Sequence, residues 1–165
     1  MWGGGALAAI VGVGILLLVT ARPAQGEAVP IEGASHVGVG ALPLRTSNTP
    51  PTSGDHYAQS AEPGFYEEPI DDGYLIHSLE HGYVIMWYDC DELPEQACTE
   101  LKANIEATVE EFDTFKVIGV PREGMDSALA LTSWGRIQEL DTFDRQVVRS
   151  FIRANRGRAP EPQGH

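Results

Sequence analysis

Hydrophobic and polar positions divide the chain into three regimes. Residues 2–21, WGGGALAAIVGVGILLLVTA, are apolar or small and carry no charged side chain. As a helix, a stretch of that length reaches roughly 30 Å, about the thickness of a bilayer core. Residues 36–72 are rich in Gly, Pro, Ser, Thr and Asp and hold no sustained period. They predict an ordered loop region whose path Pro50-Pro51 and Gly54 fix. From Tyr83 onward the pattern turns regular. Tyr83–Tyr88 (YVIMWY) is apolar on both faces and predicts a central strand. Leu93–Phe112 sets Ala97, Leu101, Ile105, Thr108, Val109 and Phe112 on one helical stripe, with acids opposite. Lys116–Val120 predicts a second strand, stopped by Pro121, and Ala128–Trp134 a third. A last helix, capped by Asp141 with a second acid at Asp144, buries Phe143, Val147, Val148, Phe151 and Ile152. Gly157 and then Pro160 end it.

These elements give an α+β fold: a small mixed sheet in β-α-β-β-α order, with the last two strands forming a hairpin and the helices packed on the sheet. A long ordered loop region and an N-terminal apolar helix precede it. Thioredoxin-like folds share this order in their second half, but no Cys-x-x-Cys occurs, so that likeness carries no redox chemistry. Residues 1–22 read as a membrane anchor or signal segment, 23–35 as a linker, and 36–161 as a single extracytoplasmic domain. The leading reading of 2–21 is a retained single-pass anchor with the C-terminal domain outside the cytoplasm. The alternative is secretion after signal cleavage near Ala24-Gln25-Gly26.

Composition narrows the classes. The 165 residues carry 24 acids against 11 bases, a net charge of −13. A nucleic-acid binder should be basic, so nucleic acid is excluded as a partner. Two cysteines cannot form a disulfide framework or a four-thiolate zinc site. Outside the cytoplasm, Cys90 and Cys98 predict a structural disulfide, with a thiol metal site or exchange-active pair as the sharper alternative. Between Glu62 and Asp113 stand 15 acids and one base, Lys102, which read as a solvated face or as a field that draws cations. Arg145, Arg149, Arg153, Arg156 and Arg158 gather toward the end of the last helix, where they favour its dipole.

Of five histidines, His165 ends the chain and the other four, His36, His56, His77 and His81, lie within 46 residues. In His77-Ser78-Leu79-Glu80-His81 a spacing of four puts both imidazoles on one side, whether the segment is helical or extended. Neutral imidazole suits copper, zinc, nickel or iron. His56 sits in PPTSGDHY, where two prolines stiffen the approach and Asp55 or the hydroxyls can orient the ring. His36 and the thioether of Met125 are further candidate ligands, and Glu80 joins Asp55 as a supporting residue. HSLEH also matches H-x-x-E-H, the inverted zinc-peptidase signature, with Glu80 activating water. That chemistry needs a long helix, and an apolar strand begins two residues after the motif.

PPTSGDHY, LIHSLEHGYVIMWY, ALTSWGR and the closing RGRAPE resemble the bacterial family catalogued as domain of unknown function 3105, over roughly residues 33–161. The resemblance implies an extracytoplasmic domain, often behind one membrane anchor, with no assigned activity. The family's motif histidines fall on His56, His77 and His81, and less securely on His36. The cysteine pair is not part of it.

The combined expectation is a membrane-anchored metal-binding protein that holds a copper or zinc ion in a histidine cluster and has no catalysis of its own. Its alternatives are a non-catalytic structural or interaction subunit of a membrane assembly and, third, a small metallohydrolase using HSLEH. For the anchor, protein expressed in its host should stay with membranes through a carbonate wash. Release of a soluble product beginning near Glu27 would show cleavage instead.

Overall fold

The computed structural model describes residues 23–41, 44, 46 and 48–164, so the expected N-terminal apolar helix lies outside the described residues. No helix among the described residues is long and apolar enough to cross a membrane. Short strands open the chain: β1 (Glu27–Ala28), β2 (His36–Val37), β3 (His56–Tyr57) and β4 (Gly64–Phe65). Then come α1 (Asp72–Glu80), β5 (Val84–Tyr88), α2 (Glu95–Glu111), β6 (Val117–Pro121), β7 (Leu129–Ser133), β8 (Arg136–Leu140) and α3 (Arg145–Asn155).

Strand β5 is buried at every position and lies inside a six-stranded sheet ordered β1-β8-β7-β5-β6-β4. It runs parallel to β6 and antiparallel to β7. Side chains alternate across a strand, so its two faces feed two cores. Val84, Met86 and Tyr88 pack with Leu101, Ile105 and Val109 of α2 and Val148, Phe151 and Ile152 of α3. Ile85 and Trp87 pack with Leu75 and Leu79 of α1 on the other face. The Trp87 indole donates to Thr132 Oγ1 at 2.7 Å, so its one polar atom is satisfied in the core.

Three expectations need correction. The hairpin joins β7 to β8, with Ser133 opposite Arg136, because β5 lies between β6 and β7 in the sheet. Strand β8 (RIQEL) escapes the periodicity because charged and polar side chains break its apolar pattern and none of its residues is fully buried. The cap of α3 is Asp144, whose carboxylate accepts from the amides of Gln146 and Val147, since the chain after Leu140 must first turn out of β8. The stretch read as a linker contributes β1, paired antiparallel to β8, and Gln25 exchanges two hydrogen bonds with Asn155 of α3. The arginines of α3 surround one acid of α2. Arg149 lies 2.7 Å from Glu111, with Arg145 and Arg153 at 3.8 and 3.7 Å.

Cys90 and Cys98 form a disulfide between the end of β5 and the first turns of α2. It closes a short loop, worth roughly 2–3 kcal/mol by chain entropy. Unreduced protein should therefore show no alkylated thiol. The Cys90→Ser, Cys98→Ser double variant should lose about that stability in thermal denaturation, and an unchanged melting temperature would rule out this contribution.

Candidate metal centre

Helix α1 carries the HSLEH motif in its last turn. Asp71 starts the helix by accepting from Gly73 N–H, and Leu75 and Leu79 press into the core. His81 is the C-cap, its amide bonded back to the carbonyls of His77 and Ser78. His77, Glu80 and His81 therefore stand at the end of one short helix, at spacings that share a side. A side chain at Gly73 would collide with the Tyr57 ring, a Cβ lying 2.5 Å from its nearest carbon. Glycine there lets α1 approach β3, and that approach reaches His77: its Nδ1–H donates to the Tyr57 carbonyl at 2.6 Å.

The other two imidazoles arrive through a strand pairing. Strands β2 and β3 run parallel with His36 opposite His56 and Val37 opposite Tyr57. Ring centroids then lie 4.8 Å apart for His36–His56, 5.1 Å for His36–His77, 4.9 Å for His56–His77 and 4.4 Å for His77–His81. His56, His77, Glu80 and His81 are buried, whereas His36 is exposed. One donor atom each from His36, His56, His77 and Glu80 falls within 4.8 Å of the others, and a second group joins Glu80, His81 and Glu161.

Hydrogen bonds define what these rings present. His56 Nδ1–H donates to the Gly54 carbonyl at 2.9 Å, and His77 Nδ1–H to that of Tyr57. Carbonyl partners of this kind fix a ring's tautomer and direction. Each ring then offers the lone pair of Nε2. His56 Nε2 is wholly buried, without a hydrogen-bond partner, and faces a Glu80 oxygen 3.0 Å away. His77 Nε2 faces His81 Nε2, also at 3.0 Å. Two donors on one ion, with bonds of about 2.0–2.1 Å, stand roughly 2.9–3.4 Å apart. Burial lowers the His77 pKa, opposed by the Tyr57 hydrogen bond and reinforced by His81, His56 and His36. His77 is thus held as neutral imidazole, the form that binds metal.

The structure thus brings His36, His56, His77 and His81 together. It places a Glu80 oxygen 3.0 Å from His56 Nε2, within the same cluster. The Gly54 carbonyl accepts from the His56 ring, and Asp55 is buried next to it in the chain. Met125 lies in the β6–β7 loop, its amide bonded to Asp89 and its side chain packed with the core that holds Trp87. Glu161 was missed. It belongs to the closing RGRAPE motif, but no spacing relates it to HSLEH; only the return of the tail does.

The protein is thus a mixed α+β domain whose sheet supports a histidine–glutamate cluster able to hold a metal ion. It belongs to the family described as protein of unknown function (DUF3105), which matches residues 43–165. That span includes every member of the cluster except His36. No curated protein and no solved structure matches the chain significantly.

A lowered His77 pKa means that the folded state takes up fewer protons than the unfolded chain as pH falls through the ordinary histidine value of about 6.5. His77 therefore contributes stability above that pH and loses it below. Metal-free protein should lose more melting temperature between pH 7.5 and 5.5 than its His77→Asn variant, which keeps a donor for the Tyr57 carbonyl. Equal losses would remove this role.

Proposed function

We propose that the domain binds a transition-metal ion, copper or zinc, through His36, His56, His77 and Glu80, with His81 at its edge, and performs no catalysis of its own. The observation that carries this reading is the buried Nε2 lone pair of His56 set 3.0 Å from the Glu80 carboxylate. Two acceptors facing each other out of water repel, and a cation between them reverses the sign. One proton on His56 would serve that pair alone. A metal ion would satisfy His36, His56, His77 and Glu80 together. Imidazole with carboxylate suits zinc and copper.

The peptidase reading of HSLEH has less support. Helix α1 is nine residues long and ends before His81, and Glu80 faces His56 instead of standing apart as a base. For location, the reading is a single-pass anchor through residues 2–21 with the domain outside the cytoplasm, where a membrane protein would be its partner. The apolar N-terminal stretch and the Cys90–Cys98 disulfide support it.

Full-length protein stripped of metal and titrated calorimetrically with Cu(I), Cu(II) and Zn(II) should bind at least one tighter than micromolar. Affinity should weaken as pH falls through about 6.5, because protons compete for imidazole. Replacing both His77 and His81 by Ala should abolish tight binding, and His165→Ala should leave it intact. If the wild type binds none of the three ions, or the double variant binds as well, the histidines are structural and the interaction-subunit reading takes over.

A further inference from the structure

We propose that the centre holds two ions bridged by the Glu80 carboxylate, the second bound by Glu80, His81 and Glu161; this rests on the metal-binding reading above. Glu80 belongs to both donor groups, and its two oxygens allow it to serve both. His81 Nε2 lies 3.7 Å from Glu161 Oε2, and one donor atom from each of the three residues falls within 4.8 Å of the others. The second set contains one imidazole and two carboxylates, of which Glu80 is shared with the first ion and Glu161 belongs to the second alone.

Glu161 is delivered by a constructed strap. The chain beyond α3 turns back along the end of α1: Gly157 N–H donates to the Gly82 carbonyl at 2.8 Å and Glu161 N–H to that of Glu80 at 3.0 Å. Gly164 lies against the His81 imidazole, where a Cβ would come within 2.4 Å of the ring. Buried Lys116 then ties the helix end to the strap, its ammonium donating to the carbonyls of His81, Pro162 and Gly164 at 2.8, 2.7 and 2.9 Å. Lys116 does this from a backbone φ of +54°, a left-handed conformation that costs energy for a residue with a side chain. Those three hydrogen bonds, made in spite of the desolvation and the strain, hold the strap, and with it Glu161, beside His81.

The Glu161 side chain is 64 % exposed, and an open polar cleft of about 440 Å³ is lined by Ser60, Glu62, Tyr74, His77 and His81 among others, so one imidazole of each set faces the cleft.

The test is stoichiometry. Full-length metal-free protein is loaded with Zn(II) and its ions are counted by native mass spectrometry, alongside Glu161→Gln. Because Glu161 is exposed, that variant should fold, as circular dichroism can check. Two ions in the wild type and one in the variant are expected, with the remaining ion as tightly held as before. One ion in both overturns the second site and leaves the proposed function standing. Two in both also overturns it, since the second ion then lies elsewhere. No ion in either, with zinc and with copper alike, sinks the proposed function as well. Cu(II) loading tests the bridge: ions about 3.5–4 Å apart should couple, so the second equivalent should diminish the paramagnetic resonance signal of the first. Two uncoupled signals would overturn the shared Glu80.

Discussion

Strand β5 must be covered on both faces, and the rest of the architecture follows from that constraint. Its five residues are all buried, with alternate side chains in two separate cores. Burying residues such as Ile85, Met86 and Trp87 contributes about 1.5–3 kcal/mol each, which can be realised only if both faces are closed. Helices α2 and α3 close one face. Helix α1, with the loop segment around Ala61, closes the other. Only His81, Gly82 and Tyr83 separate α1 from β5, so the HSLEH motif is rooted at the end of a fully buried strand.

A rigid root matters because the centre is assembled from polar groups taken out of water. Burial takes solvation from these groups, which favours close partners, and at His77 it favours the neutral ring. The protein answers with backbone carbonyls. Gly54 holds His56, Tyr57 holds His77, and the carbonyl of His81 receives Lys116. These bonds hold rings in place without neutralising the acceptors that face inward. The result is a cluster whose donors are oriented toward one another, as a cation requires and a hydrophobic core does not.

Charge outside the centre is arranged differently. The acids between Glu62 and Asp113 mostly face solvent, and Arg145, Arg149 and Arg153 of α3 cluster on Glu111. Exposed pairs of this kind contribute little to stability. The acidic surface supplies a diffuse field that favours cations, and the proposed binding would depend on the few buried donors.

The sequence by itself determined the elements whose local pattern is complete. YVIMWY could only be a doubly buried strand, the stripe from Leu101 to Phe112 only an amphipathic helix, and His77 and His81 had to share a side at a spacing of four. The proline-stiffened run to His56 and the candidate pair Cys90 and Cys98 were legible for the same reason: the information lies within a few residues. Tertiary structure decided what depends on neighbours distant in sequence. RIQEL became β8 because β7 offered it an edge, not because of its own pattern. His36 reached the centre by register with His56, and Glu161 by the return of the tail over α1. Glu80 met His56 only when β3 brought that ring to it, since a spacing rule relates residues on one helix and cannot specify which atom a separate strand will set against them.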